Sequence, residues 1–135
     1  MKFTILVPVY NVEAYVDECI QSVLNQSCRD FELVLVDDGS TDASGTICDR
    51  YAQQNPEKIR VIHKENQGPL AARLMGISEA RGDFCVFMDS DDFVEANLLE
   101  VISGYLEKDP QTDVLLYSFR YYRDGRKAER FLKPL

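Results

Sequence analysis

The chain has 135 residues, 45% of them apolar and 28% charged, with a formal net charge of −8. This length suits one domain, and the composition supports a buried core and excludes a disordered tail. No apolar run approaches the roughly 20 residues that a membrane-spanning helix needs. The N-terminal apolar segment is too short for a signal peptide, which favours the cytoplasm, and the acidic charge argues against nucleic acid as a partner.

Apolar runs rich in β-branched and aromatic residues predict five strands. They are Phe3–Val9, Phe31–Val36, Ile59–His63, Phe84–Met88 and Asp113–Phe119. The first four are almost continuously apolar and recur about every 30 residues, which is typical of buried strands joined by βαβ crossovers.

Four helices are predicted from apolar residues at helical spacing. In chain order they are marked by Val16, Ile20, Val23 and Leu24; by Ile47 and Tyr51; by Leu70, Leu74 and Ile77; and by Leu98, Leu99, Ile102 and Leu106. Asn11 is the candidate cap of the first helix, and the second is expected to begin near the Gly-Ser-Thr-Asp cluster at 39–42. The alternation predicts a doubly wound α/β fold with right-handed crossovers.

The last part of the chain departs from this alternation. Arg-Asp-Gly-Arg at 123–126 is typical of a hairpin turn. Residues 120–133 contain six basic and two acidic residues, a local net charge of +4. We interpret them either as a solvated hairpin or as a surface that contacts acidic lipid at the inner face of the membrane or an anionic acceptor. Because the chain ends without a closing element, we expect a single domain, 1–135, that is the front part of a longer protein.

The four cysteines do not form a metal-binding pattern. No two of them are spaced as C-x-x-C, and the chain has a single histidine, His63, so a zinc site is not expected. Three of the cysteines lie among apolar residues and are predicted to be buried, reduced thiols. They are Cys19, Cys48 and Cys85.

Polar residues follow each of the first four predicted strands. Ligands of open α/β sheets bind beyond the carboxyl ends of the strands, so these segments are expected to meet at one site. They are Pro8-Val9-Tyr10-Asn11; Asp37–Asp42; Asn66-Gln67-Gly68, with Arg73 in the following helix; and Asp89-Ser90-Asp91-Asp92. Each of the first three, taken alone, is explained by a turn, a helix cap or a surface ion pair. Their occurrence at one edge of the sheet predicts a binding site.

The fourth segment is the most informative. Asp89, Asp91 and Asp92 lie within four residues beside an apolar strand, where the like charges destabilise one another unless a cation neutralises them. Carboxylate oxygens are suitable ligands for Mg²⁺ or Mn²⁺. A divalent cation held there would bridge the carboxylates to a diphosphate and offset the charge of a departing phosphate.

Taken together, these motifs resemble the nucleotide-sugar half of the family 2 inverting glycosyltransferases of GT-A fold. The resemblance rests on VPVYN, ELVLVDDGSTD, NQGPLAARLMGISEARGDFCVFMDSDD and DVLLYSFRYY, and it runs from Ile5 to about Tyr122. It implies a Rossmann-like, mostly parallel sheet flanked by helices and ending here in a hairpin. It also implies transfer of a sugar with inversion from a nucleotide-diphosphate donor, typically a UDP-sugar. The acceptor would be a hydroxyl of a saccharide or lipid-linked molecule in cell-envelope polysaccharide or glycolipid synthesis.

The resemblance also implies roles for individual residues. Those assigned to the nucleotide are Pro8, Val9, Tyr10, Asp37, Asp38, Arg73, Asp89 and Ser90. Asp38, or its neighbour Asp37, would accept a hydrogen bond from the base, and Arg73 would approach the base and the phosphates. Asp89-Ser90-Asp91 would be the D-x-D motif of the family. Asp91 is the expected principal metal ligand, with Asp89 and Asp92 in support.

The chain departs from the family in two places. The family usually has asparagine at the position of Leu74. Inverting members also use a carboxylate to deprotonate the acceptor hydroxyl, and we find no candidate between Tyr117 and Leu135, where the acidic residues lie in the predicted hairpin. The catalytic base is therefore expected beyond Leu135. A nucleotide- and metal-binding module without turnover is the alternative.

Three other enzyme or signalling classes fit less well. Phe87–Val94 resembles the D-x-D-x-[TV] motif of haloacid-dehalogenase-like phosphatases, but Phe93 occupies its fifth position and the strand is the fourth rather than the first. A receiver domain needs a lysine after its fifth strand, where this chain has Tyr-Ser-Phe-Arg-Tyr-Tyr. A Rossmann dehydrogenase needs a glycine-rich turn after its first strand, and none follows Val9.

Overall fold

Residues 1–118, 122–123 and 126–127 are described by the computed structural model of the chain. They belong to two units, Met1–Val101 and Ile102–Leu135. The first unit contains a parallel sheet of strands in the order β3-β2-β1-β4. The strands are β1 (Phe3–Val9), β2 (Phe31–Asp37), β3 (Ile59–His63) and β4 (Phe84–Phe87). The first four predicted strands are thus confirmed, with ends that differ by at most one residue.

Three helices connect these strands and a fourth follows β4. They are α1 (Val16–Leu24), α2 (Ser44–Gln54), α3 (Pro69–Glu79) and α4 (Leu98–Lys108). Each contains the apolar residues from which it was predicted, so the parallel α/β sheet flanked by helices is confirmed. None of the helices in the described residues has the length and the apolar composition needed to cross a membrane.

Helix α3 packs on the sheet through its small residues. Ala72 forms a buried cluster with Val34 and Val36 of β2, and Gly76 lies so close to Leu6 of β1 that a Cβ atom would overlap its side chain. The apolar residues that predicted this helix are exposed instead: Leu70, Leu74 and Ile77. Small residues bring the helix close to the strands, and this contact positions the start of α3 at the carboxyl end of the sheet.

Helix α2 begins on the other face of the sheet. A Cβ atom on Gly45 would lie 2.7 Å from Asp37 Oδ2. Because neighbouring side chains of a strand point to opposite faces, Asp37 and Val36 lie on different sides, and α2 therefore begins opposite α3. The chain runs from β1 outward to β2 and β3 and then returns to place β4 on the other side of β1. This reversal creates a switch point between β1 and β4.

The predicted fifth strand is wrong in its described part, residues 113–118, which carry no strand. Val114 and Leu116 are 76% and 84% exposed. Residues of high strand propensity hold an extended ladder only where a neighbouring strand pairs with them, and no described strand pairs with this segment.

The predicted hairpin is confirmed in its strands. β5 (Tyr122–Arg123) and β6 (Arg126–Lys127) pair antiparallel, with residue 122 opposite residue 127. The turn between them and most of the basic segment 120–133 lie outside the described residues. The predicted contact of that segment with a membrane stays a prediction.

The cysteines are free in the described structure. Cys19 and Cys48 are buried as predicted, and burial raises the pKa of each thiol to about 12, with nearby aspartates adding to the shift. Cys85 is only partly buried, which corrects the prediction for that residue, because it lies on the edge strand β4.

Candidate functional site

A cavity of about 490 Å³ opens at the carboxyl end of the sheet, beside the switch point between β1 and β4. Its volume lies within the range of small-molecule sites, and switch points are where open α/β sheets bind ligands. All four predicted polar segments contribute to it. Eight of the predicted site residues line it: Pro8, Val9, Tyr10, Asp38, Arg73, Asp89, Ser90 and Asp91.

Asp38 lines the cavity as a buried carboxylate, and three donors converge on it. Oδ1 accepts hydrogen bonds from Lys64 Nζ at 2.8 Å and from the backbone N–H of Gln67 at 2.9 Å. Oδ2 accepts from the backbone N–H of Gly68 at 2.9 Å. Burial raises the pKa of Asp38, but the three donors outweigh it and hold the pKa below its usual value. Since a carboxylate has about four acceptor positions, one on Oδ2 remains for a ligand.

Asp37, the neighbour of Asp38, is not part of the cavity lining. Its Oδ2 lies 2.8 Å from His63 Nδ1, and its Oδ1 accepts from the backbone N–H of Ser40 at 3.0 Å. The other ring nitrogen of His63, Nε2, lies 2.8 Å from Asp49 Oδ1. The hydrogen bonds with Asp37 and then Asp49 raise the pKa of His63. In the structure Asp37 therefore shapes the loop after β2 through His63 and its own turn.

Asn11 holds the loop after β1 against the loop after β2. Its Oδ1 accepts hydrogen bonds from the backbone N–H groups of Thr41 at 2.9 Å and Asp42 at 3.3 Å. Asn11 has φ 48°, a left-handed conformation that asparagine tolerates better than most residues. The prediction that Asn11 caps α1 is wrong, because the helix begins at Val16. The side chain of Asn11 instead joins the two loops through these hydrogen bonds. The adjacent Tyr10 is exposed and lines the cavity.

The acidic cluster lies after β4. Asp89, Asp91 and Asp92 are exposed, and one carboxylate oxygen from each lies within 4.8 Å of the others. Burial, followed by the charges of Asp91 and Asp89, raises the pKa of Asp92. Arg73, which also lines the cavity, donates from Nη2 to Asp89 Oδ1 at 2.8 Å. Three converging carboxylates are a donor set that fits a hard divalent cation such as Mg²⁺ or Mn²⁺.

Sequence reasoning missed one residue that organises this site, Lys64, and gave another, Asn11, the wrong role. Lys64 directly follows β3, at the sheet edge where the predicted polar segments lie. A cationic residue immediately after a strand at this edge is the sequence signal that could have identified it. Asn11 belongs to one of the predicted polar segments, but its side chain joins two loops and does not cap a helix. Its partners, at 41 and 42, come from a loop about 30 residues away, and spacing along the chain does not reveal such a contact.

Residues 4–133 match the family model for Glycosyl transferase family 2. The chain belongs to this family. It is 42% identical over 124 residues to Glycosyltransferase GlyG of Streptococcus pneumoniae serotype 4, a match that covers 90% of this chain and 40% of GlyG. The chain thus spans well under half of that relative. Membership of family 2 argues against the phosphatase alternative.

Two solved structures share the fold. S. aureus TarS 1–349 in complex with UDP-GlcNAc aligns with a TM-score of 0.74 and 34% identity, over 80% of this chain and 32% of the TarS 1–349 chain. Mannosyltransferase PcManGT from Pyrobaculum calidifontis in complex with GDP-Man and Mn²⁺ aligns with a TM-score of 0.72 and 26% identity, over 78% of this chain and 32% of PcManGT. The GT-A fold that the sequence predicted is confirmed.

Proposed function

We propose that the chain binds the donor of an inverting glycosyl transfer and that this donor is a UDP-sugar. The observation that carries the proposal is that one cavity is lined both by the buried, ionised Asp38 and by Asp89 and Asp91 of the acidic cluster. The first suits a base that donates a hydrogen bond, and the second suits a cation with a diphosphate. The similarity to TarS, solved with UDP-GlcNAc, supports a uridine nucleotide.

The base is proposed to lie against Pro8, Val9 and Tyr10, with Asp38 at its polar edge. The free acceptor position on Asp38 matches the N3–H of uracil or the N1–H of guanine. Cytosine N3 and adenine N1 are acceptors, and an ionised carboxylate repels them. PcManGT was solved with GDP-Man, so binding of UDP and GDP has to be compared directly.

The diphosphate is proposed to lie beside the Arg73–Asp89 ion pair, in reach of both Arg73 and the acidic cluster, with Asp91 as the principal metal ligand and Asp89 and Asp92 in support. A bound Mg²⁺ or Mn²⁺ would supply the positive charge that links these carboxylates to the diphosphate. The complex of PcManGT with Mn²⁺ supports this assignment. Arg73 would add directed hydrogen-bond donors to the phosphate oxygens.

In the proposed reaction, the oxygen of an acceptor hydroxyl bonds to the anomeric carbon while the bond from that carbon to the diphosphate breaks. Attack from the face opposite the leaving group inverts the configuration. The nucleoside diphosphate leaves with the bonding electron pair, and the hydroxyl proton passes to a general base. We propose that this base lies outside the described residues and that the acceptor is a saccharide or a lipid-linked saccharide in polysaccharide or glycolipid synthesis.

Calorimetric titration with UDP tests the proposal. We expect UDP to bind in the presence of Mn²⁺ and to bind at least about tenfold more weakly with chelator or after Asp91→Ala, a loss of about 1.4 kcal/mol. Asp83→Ala is the matched control, because Asp83 is an exposed aspartate at the other end of β4. Absence of binding to UDP, GDP and TDP, with and without metal, would overturn the proposal.

A binding module without turnover is the second candidate, and it is favoured by the small share of GlyG, 40%, that the chain spans. Release of UDP from a UDP-sugar separates the two functions. Turnover by the chain supports the transferase, whereas binding of the same UDP-sugar without release supports the module.

A further inference from the structure

We infer that Lys64 is a positioning residue for the nucleotide base, because it holds Asp38 in the cavity as an ionised acceptor in one fixed orientation. The inference rests on the proposed function, which assigns Asp38 to the base. Lys64 itself does not line the cavity, so any effect on a nucleotide passes through Asp38.

The contact between Lys64 and Asp38 is short and almost completely buried from solvent. Lys64 Nζ lies 2.8 Å from Asp38 Oδ1, with side-chain exposures of 9% and 4%. A second hydrogen bond of Nζ, to the backbone oxygen of Glu65 at 2.8 Å, fixes the ammonium group on its own loop. A buried charge that loses its partner is disfavoured, so Lys64, together with the backbone N–H groups of Gln67 and Gly68, keeps Asp38 ionised.

The ion pair also joins two loops that form the base end of the cavity. Asp38 belongs to the loop after β2, and Lys64 and Gly68 belong to the loop after β3. The loops touch beside the ion pair, since a Cβ atom on Gly39 would lie 2.8 Å from the backbone N of Asn66. Lys64 thus occupies one acceptor position of Asp38 and directs the remaining position on Oδ2 toward the ligand.

The charged groups around Asp38 determine how its protonation changes when Lys64 is removed. Lys64 is the cation in contact with it, while the amides of Gln67 and Gly68 provide uncharged donors. The other charged groups of the cavity lining are Arg73, Asp89 and Asp91. With a neutral residue at 64, burial favours the protonated carboxyl as the pH falls. A proton on Oδ2 would replace the free acceptor position with a donor, and a proton on Oδ1 would leave Oδ2 a neutral, weaker acceptor, so either one weakens the hydrogen bond from the N3–H of uracil.

The test compares UDP dissociation constants of the chain and of Lys64→Met with Mn²⁺, at about pH 8 and about pH 5.5. We expect the UDP dissociation constant of the variant to exceed that of the wild type by about threefold at the higher pH and by more than about tenfold at the lower pH. The UDP phosphate also titrates in this range, with a pKa of about 6, but it affects both dissociation constants equally and cancels in their ratio. The ratio of CDP to UDP affinity should rise in the variant at the lower pH.

Lys58→Met is the matched control. Lys58 directly precedes β3, at the opposite end of the strand, and donates to the backbone oxygens of Arg29 and Phe31. We expect it to leave UDP binding unchanged at both pH values. Lys64→Gln serves as a second variant if Lys64→Met does not fold in a thermal melt, since it keeps a donor and removes the charge. In an Asp38→Asn background, removing Lys64 should add no pH dependence.

The outcomes separate the inference from the proposed function. If the wild type binds UDP and the variant ratio is the same at both pH values, Lys64 is merely structural and the inference is wrong. If the wild type does not bind UDP, the proposed function fails and the inference fails with it.

Discussion

Arg73 and Asp89 form an ion pair in the lining of the cavity, with Arg73 Nη2 donating to Asp89 Oδ1 at 2.8 Å. Arg73 belongs to α3 and Asp89 follows β4, so the pair brings a cation beside the acidic cluster. Their side chains are 36% and 58% exposed. Because exposed pairs contribute about 0 to 1 kcal/mol to stability, the pair matters for the ligand more than for folding.

Arg73→Ala is therefore expected to weaken UDP binding in the presence of Mn²⁺ by about tenfold, equivalent to about 1.4 kcal/mol. The free energy of unfolding should change by less than about 1 kcal/mol. Calorimetry with UDP and chemical denaturation measure the two quantities. Arg50→Ala is the control, since Arg50 forms a comparably exposed pair with Asp17 at 3.3 Å on α2 and α1. Equal effects of the two variants on UDP binding would contradict the role of Arg73.

We expect His63 to make the stability of the chain depend on pH. Its two ring nitrogens face Asp37 and Asp49, and these hydrogen bonds raise its pKa above the value of about 6.5 in an unfolded chain. The ion pairs stabilise the fold fully below that unfolded pKa, and the contribution is lost as the pH rises through the folded pKa. We expect the free energy of unfolding of the wild type to fall as the pH rises above about 6.5 and through the folded pKa of His63.

His63→Gln removes the titrating group and keeps a polar side chain. Its free energy of unfolding, measured by urea denaturation, should change less over this pH range than that of the wild type. A parallel pH dependence of both proteins would show that another group is responsible.

The parallel sheet could be predicted from the sequence because strands that are buried on both faces have continuous apolar sequences. β1 and β2 are buried along almost their whole length, and both predicted strands end within one residue of the observed ones. The cavity could be located for a related reason, since the carboxyl ends of parallel strands share one edge. Asp38, Arg73 and Asp89 meet there as expected.

What could not be predicted depends on contacts between distant segments. Leu74 and Ile77 correctly predict a helix, but they lie on its exposed face. The face that packs on the sheet carries Ala72 and Gly76, whose small size allows a closer approach. The partner of Lys64 lies 26 residues away on another loop. Hydrophobic periodicity carries no information on either contact.

Gly76 and Gly104 offer a matched pair of helical glycines. A Cβ atom on Gly76 would overlap Leu6, whereas one on Gly104 would meet no atom within 4 Å. Gly76→Ala should destabilise the fold by about 1 to 3 kcal/mol through overpacking. Gly104→Ala should stabilise it by about 0.5 to 1 kcal/mol, the helix propensity difference. Thermal and chemical denaturation of both variants test the pair, and a neutral Gly76→Ala would contradict the close contact of α3 with β1.

Glu32 connects three segments away from the cavity. It is buried on β2, and its Oε1 accepts from Thr4 Oγ1 and from the backbone N–H of Arg81, both at 2.8 Å. Arg60 Nε donates to Oε2 at 3.1 Å. Burial raises the pKa of Glu32, but the hydrogen bonds of Arg81, Thr4 and Arg60 outweigh it and lower the pKa below its usual value. The carboxylate therefore stabilises the fold above its unfolded pKa, and the contribution is lost as the pH falls through the folded pKa.

Glu32→Gln keeps the shape of the side chain and removes its charge, so we expect a loss of about 1 to 3 kcal/mol in the free energy of unfolding near neutral pH. The difference from the wild type should shrink as the pH falls toward the folded pKa, where Glu32 itself becomes protonated. Glu79→Gln is the control, because Glu79 faces the same Arg60 at 3.7 Å but is half-exposed, and it should cost less than about 1 kcal/mol. If both variants lose the same stability, the charge of Arg60 rather than the buried network around Glu32 sets the effect, and the role assigned to Thr4 and Arg81 is wrong.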